Sequence, residues 1–543
     1  MQSIRHLALA ALLCFAIPLL APTAQPPGEP PVLARVTLAS EAEVDRFVRL
    51  GLDLLETREG DDLFALTTRG EVERLRAAGW RIRVEAGGPA PHRAETFQEG
   101  YRTVTEIEAQ LQSAVARHPQ LAELTVIGES WERRSSQGQR GHNLFALTLT
   151  NRAIAGPKPT FFLLAAIHAR ELATAELAMR FVDHLLNGYG ADGDATMLLD
   201  ETRIVVVPLG NPDGRRIAEQ GYQQRKNTNP TNGSGCAAPP TLGNQFGVDL
   251  NRNYAFQWGA INPPTEPPCG ATYPGPVAAS EPETEAVQSL VRALFPDQRG
   301  PGDADAAPRT ATGMLLTLHS YGNLVLWPWG ATRTPAPNAA DLELIGRKFA
   351  FYNGYTAYQS IRLYPTSGTT DDWSYGELGV ASFTFEIGPN SGPCAGFFAP
   401  YRCLSDEFWP RNLPALLYAA RIAAAPYALA HGPTPEEVAA LPTADGRVEI
   451  RARFDETANG GQPIASAELF LDAPPARGGS SLAMNPADGR FDSPIETATL
   501  LVPLSSLRTR YLVRARDAAG NDGPLRAAFL SRSALEGRGR MRR

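Results

Sequence analysis

Apolar positions along the chain fall into three successive patterns. Before residue 86, short alternating stretches flank two helical periodicities. From 97 to 427, apolar runs of strand length alternate with longer helical repeats. After 427 only period-two alternation remains. In the middle region the runs at 145–150, 160–167, 204–209, 314–318 and 382–385 predict strands. The repeats at 103–118 and 174–186 predict amphipathic helices. Strands that read as continuous apolar runs are covered on both faces. Interleaved with helices, they predict an α/β domain over 97–427, a mixed, mostly parallel sheet with helices on both faces.

The first region predicts a strand at 34–38 and a helix that Ser40 caps and that runs to 50. Glu43 stands three residues after the cap, as in a capping box. Strands at 52–55 and 63–67 flank the turn 59–61, and a helix at 69–78 and a strand at 80–84 follow. The order β-α-β-β-α-β predicts a ferredoxin-like α+β module over 25–86. Residues 87–96, rich in Gly and Pro and holding Arg93, read as an exposed linker. A compact module ahead of such a linker is expected to be a propeptide, with a permanent accessory domain as the alternative. In the last region the alternations at 448–454, 467–471 and 511–516, with turn residues at 517–521, predict a small immunoglobulin-like β-sandwich over 428–532. A basic, solvated tail at 533–543 ends the chain.

Composition narrows the picture. A chain of 543 residues with 43% apolar content supports several cores, and a net charge of −7 gives no basis for nucleic-acid or membrane-surface binding. Arg5 and His6 precede an apolar stretch at 7–20 and small residues at 21–24, which predicts a signal peptide over 1–24. That stretch is too short for a membrane span, and Leu13 before Cys14 argues against lipidation. A soluble monomer, secreted to the extracellular space or the periplasm, is expected. The four remaining cysteines, Cys236, Cys269, Cys394 and Cys403, then favour disulfides. Of three connectivities the sequence-local pairing, 236 with 269 and 394 with 403, is expected. A structural zinc site made of all four lacks the short Cys-x-x-Cys pairs such sites use.

The chemistry gathers where the predicted strands end. The run 160–167 is followed at once by His168 and Glu171, and 204–209 by Asn211-Pro212-Asp213-Gly214. The run 314–318 is followed by His319, and 382–385 by Glu386. In an open α/β sheet ligands bind beyond the carboxyl ends of strands. Two His and one Glu form the ligand set of a catalytic zinc ion. His142 and His184 fit no such position and read as structural.

With these motifs stand Asp249-Leu250-Asn251-Arg252-Asn253, His319-Ser320-Tyr321, Tyr364-Pro365-Thr366-Ser367-Gly368 and Ser382-Phe383-Thr384-Phe385-Glu386. In this order, from about Tyr101 to Tyr427, the chain resembles the metallocarboxypeptidase family of the pancreatic carboxypeptidases A and B. The resemblance implies a carboxypeptidase-like catalytic domain holding one zinc ion through His168, Glu171 and His319. It implies Glu386 as general base and Arg225 as the group that polarises the carbonyl. Asn251 and Arg252 would bind the substrate's terminal carboxylate, and Tyr364 would close over the terminal residue. Asp249 would hydrogen-bond the first zinc histidine, and Arg170 and Tyr321 would line subsites upstream of the scissile bond. Asp371 aligns with the base of the side-chain pocket, which implies C-terminal Lys or Arg, with apolar ends left open. Asp372 is expected to be structural.

The expected protein is a secreted zinc carboxypeptidase acting on peptides and proteins with a free C-terminus. It would be made as a zymogen and released by an activating protease that cuts near Arg93. An amidase or peptidoglycan peptidase on the same scaffold is the first alternative, although Asn251 and Arg252 are both present. A non-catalytic zinc-retaining binding protein is the second, although Glu386 is intact.

Overall fold

A computed structural model of the protein describes residues 32–85, 97, 100–506 and 509–531. The signal-like segment 1–24, the linker 87–96 with Arg93 and the basic tail 533–543 lie outside the described residues.

Residues 32–85 fold as β1 (Val32–Thr37), a helix (Glu41–Val48), β2 (Asp53–Glu59), β3 (Asp62–Thr67), a helix (Arg69–Ala77) and β4 (Arg81–Val84). The antiparallel sheet has the order β2-β3-β1-β4. Ser40 caps the first helix by accepting from the Glu43 N–H at 3.3 Å. The Glu43 carboxylate reaches back to the N–H of Ala39 at 2.7 Å, one residue before the cap, so the capping box is offset rather than reciprocal.

The central sheet has eight strands: β5 (Ala122–Glu129), β6 (Asn143–Leu149), β7 (Thr160–Ala165), β8 (Arg203–Val207), β9 (Met314–His319), β10 (Leu324–Trp327), β11 (Thr356–Gln359) and β12 (Ala381–Glu386). Their order is β11-β10-β12-β9-β7-β8-β6-β5. The central neighbours β8, β7, β9 and β12 run parallel. The pairs β10–β12, β6–β8 and β5–β6 are antiparallel, which makes the sheet mixed.

Side-chain alternation explains why the central strands read as unbroken apolar runs. Phe161, Leu163 and Ala165 pack on one face against the helices Leu172–Gly188, Ala339–Asn353 and Trp409–Ile422. Phe162 and Leu164 pack on the other, against Pro282–Leu294 and Thr370–Leu378. Both faces are covered, so a polar residue inside a strand needs a buried partner, as Thr317 and Thr384 have in each other at 3.0 Å.

The last region is a sandwich of β13 (Thr434–Pro442), β14 (Arg447–Asp455), β15 (Ile464–Leu471), β16 (Ser481–Ala483), β17 (Asn485–Pro486), β18 (Ile495–Pro503), β19 (Tyr511–Asp517) and β20 (Arg526–Ala528). The two sheets have the orders β13-β14-β18-β17 and β16-β15-β19-β20. Cys236 pairs with Cys269, and Cys394 with Cys403.

Candidate active site

Parallel pairing of β7, β9 and β12 brings their carboxyl ends to one edge. In that register Glu386 lies directly opposite His319. After β7, Ala166 takes a left-handed φ of 52°, an unusual conformation for alanine. Its N–H donates to the Thr174 hydroxyl at 3.1 Å, which ties the turn to the next helix. The chain then delivers His168 and Glu171 to the place His319 reaches from β9.

His168 Nδ1 and His319 Nδ1 lie 3.1 Å apart, and Glu171 Oε1 lies 2.7 Å from His168 Nδ1. All three side chains are buried. His168 Nε2 donates to Asp249 Oδ1 at 3.0 Å. Burial would raise the Asp249 carboxyl, but Arg225 and His168 outweigh it and hold the group well below the usual carboxylate range. An ionised Asp249 fixes the proton on His168 Nε2, so Nδ1 presents its lone pair toward His319 and Glu171. Burial, with Arg225 nearby, also keeps the imidazole below its ordinary pKa and hence neutral. The Ser320 N–H donates to Glu171 Oε2 at 3.1 Å and orients the carboxylate. Two imidazole nitrogens and a carboxylate converging on one point suit a divalent cation of zinc's ligand preference.

Around this triad stand polar groups with unused capacity. Glu386 is buried and its Oε2 has no hydrogen-bond partner. Burial, then the Glu56 and Glu171 carboxylates, push its carboxyl well above the ordinary range. Arg225 donates through Nε to Asp249 Oδ2 at 3.0 Å, while its Nη1 is buried and unpartnered. Asn251 accepts through Oδ1 from the Thr370 N–H at 3.0 Å and hydroxyl at 2.9 Å, which leaves its amide N–H groups as donors. Asp371 accepts from the Ser360 hydroxyl at 3.2 Å and forms no ion pair among the described residues. Its neighbour Asp372 accepts from the N–H groups of Gly330 and Ala331 at 2.9 to 3.2 Å, a structural role.

His168, His319, Glu386, Arg225, Asn251, Tyr364 and Asp371 all line one cavity of about 40 Å³. That space admits a few water molecules and nothing larger. The reason is β2. Its residue Asp53 pairs through both oxygens with Arg170, whose guanidinium lies 3.9 Å above the Phe397 ring. Glu56 enters the cavity itself and accepts from the Tyr364 hydroxyl at 3.3 Å, with its other oxygen unpartnered. Burial pushes Glu56 up to about 7 against the pull of Arg225. Tyr321 packs among Leu55, Phe64 and Leu66. His142 pairs with Glu108 at 3.0 Å and His184 packs edge-on to Trp409, both away from the site.

Of the residues to which the resemblance gives a metal, catalytic or substrate role, the structure gathers all but Arg170 and Tyr321 at or directly behind the cavity. Those two lie beside it under β2. Asp53 and Glu56 were not legible in the sequence. The strand expected at 52–55 gives neither carboxylate a role, yet Asp53, Leu54, Leu55 and Glu56 are all buried. Gln245 and Lys226, buried behind Arg225, also carried no signal.

A family model described as zinc carboxypeptidase matches residues 107–409. A zinc carboxypeptidase from Saccharothrix mutabilis subsp. capreolus is 29% identical over 439 residues, which span 75% of this chain and 90% of that protein. Human carboxypeptidase B is 28% identical over 306 residues, 53% of this chain and 63% of the relative, so the chain spans less than two thirds of it. Among solved structures, carboxypeptidase A from Helicoverpa armigera superposes with a TM-score of 0.57 at 21% identity, covering 73% of this chain and 97% of that one. Its likeness speaks for the fold. With the family model spanning more than half of the sequence, the chain belongs to the zinc carboxypeptidase family, and the protein is a metallocarboxypeptidase.

Proposed function

We propose that the protein is a secreted carboxypeptidase, made as a zymogen, that removes C-terminal Lys and Arg from peptides and proteins. The observation that carries the reading is the convergence of the His168 and His319 Nδ1 atoms and the Glu171 carboxylate beside an unpartnered oxygen of Glu386 and an unpartnered nitrogen of Arg225. His168, Glu171 and His319 would hold zinc, which when bound acts as a Lewis acid and lowers the pKa of water at that position. Glu386, buried and of raised proton affinity, takes a proton from the attacking water and passes it to the leaving amine. The free Nη1 of Arg225 receives the charge that develops on the carbonyl oxygen. Asn251 and Arg252 grip the terminal carboxylate, for which a planar guanidinium is suited. Tyr364 closes the site once Glu56 has left it. Asp371, which forms no ion pair among the described residues, receives the substrate's basic side chain.

The module at 25–86 supports the zymogen reading, because its Asp53 and Glu56 occupy groups the substrate needs. Cutting within 87–96 by an activating protease would let it leave. A signal peptide at 1–24 supports export, and no helix among the described residues is long and apolar enough to cross a membrane.

The test uses protein cut at the linker and loaded with zinc. Matched peptides ending in Arg, Leu and Glu, and an Arg-amide control, are incubated with and without a chelator. Release of only the last residue, lost with the chelator and blocked by the amide, is expected. Asp371→Ala should lower the Arg-to-Leu preference by about tenfold or more, the scale of a lost charge-assisted contact. Equal losses on both peptides would remove Asp371 from the pocket.

A further inference from the structure

Arg225 is fixed from behind by a device the reaction itself does not use. Its backbone N–H donates to Gln245 Oε1 at 2.9 Å, and Gln245 Nε2 donates to the Gln223 carbonyl at 2.9 Å. One fully buried glutamine therefore clamps the chain on both sides of residue 224. The N–H of Gln245 donates in turn to the Cys269 carbonyl at 2.9 Å. The next residue, Lys226, is also fully buried, and its ammonium donates to the carbonyls of Pro268 and Gly270, each at 2.8 Å. Three successive carbonyls, 268 to 270, thus hold the Arg225–Lys226 segment. The middle residue of the three is cross-linked to Cys236.

Burying a lysine is unfavourable unless its donors are matched. Lys226 forms no ion pair among the described residues, and burial pushes its ammonium down to about 7 although Asp249 and Glu266 pull the other way. An aliphatic side chain would fill this space at less cost if packing were the only requirement. Asn251 and Arg252, by contrast, are held through Asp249 and Thr370 rather than through 268–270.

We infer that the loop closed by the Cys236–Cys269 disulfide is a positioning device for Arg225, with Lys226 and Gln245 as the residues that transmit its fixed geometry to the guanidinium. The inference rests on the assignment of Arg225 to the substrate carbonyl. A donor that stabilises charge only in the transition state acts on kcat, and a misplacement of about 1 Å costs up to about 100-fold. Lys226 and Gln245 are positioning residues, and terminal-carboxylate binding does not pass through them.

The experiment is a double-mutant cycle on the full chain, cut at the linker and loaded with zinc, with zinc content checked for each variant. Lys226→Met should lower kcat for an Arg-ended peptide about tenfold or more, with KM and the affinity for free arginine within about twofold. Added to Arg225→Ala, the same change should lower kcat less than about twofold, because its route to catalysis is gone. The Cys236→Ser/Cys269→Ser pair should show the same dependence on Arg225, which keeps the test intact if Lys226→Met fails to fold. An unchanged kcat in both, or equal losses with and without Arg225, would overturn the inference. Full activity of Arg225→Ala alone would instead remove the assignment beneath it.

Discussion

The catalytic domain carries a neighbour on each side, and the two are joined to it by opposite uses of the same interaction. The sandwich meets helices far from the cavity. Arg510 of the sandwich pairs with Asp200, and Glu436 of the sandwich with Lys348. Phe470, Leu512 and Ala527 of the sandwich lie in the same apolar core as the central sheet. The N-terminal module instead meets the cavity, pairing Asp53 with Arg170 and setting Glu56 under Tyr364. It also shares apolar contacts, with Leu324, Leu326, Leu363 and Tyr364 in its core cluster. Buried ion pairs are poor net stabilisers but costly to break one-sidedly. Against the sandwich, every exposed partner would be a structural charge with nothing to replace it. Against the module, the partner is Arg170 beside the cavity, which on the proposed reading substrate or solvent can satisfy. On the proposed zymogen reading, one neighbour is built to stay and the other to leave.

The largest effect that sharpens this contrast is expected at the sandwich. Glu436→Ala strands the Lys348 ammonium, whose side chain is fully buried, and should cost about 3–5 kcal/mol of stability in urea unfolding while leaving kcat/KM of the cut enzyme unchanged. A loss below about 1 kcal/mol would make the sandwich a loosely attached module. Next is Asp53→Ala, which strands Arg170 on the other side. In the uncut chain it should raise activity at least about tenfold, since each 1.4 kcal/mol of lost docking is tenfold in the open fraction. In the cut chain the same variant should change nothing. The smallest effect belongs to Arg333, whose contacts with Glu41 and Asp45 sit at the exposed rim of the module. Arg333→Ala should shift stability and uncut activity by less than about 1 kcal/mol, and a larger change would place the latch at the rim rather than in the cavity.

The fold was legible where burial is two-sided. The runs at 160–167 and 314–318 stand out because both sheet faces are covered, and the ionisable side chains first appear where they end. The edge strand β5 was not legible, since only part of Ala122–Glu129 is buried and Val126 is exposed. The same reasoning separates the site residues. His168, Glu171, His319 and Glu386 follow strand ends, a position the sequence marks. Asp53, Glu56, Gln245 and Lys226 become special only through partners 20 to 308 residues away, such as Tyr364 for Glu56, and no local pattern encodes such a meeting.

On the proposed zymogen reading, β2 plugs a competent zinc site. It is tested most directly by following cleavage of an Arg-ended peptide by the zinc-loaded full-length chain before and after the linker is cut. Near silence from the intact chain, and a rise of about 100-fold or more after cutting (about 2.7 kcal/mol of lost occlusion), is the predicted result. Equal rates before and after the cut, with zinc bound in both, would contradict it.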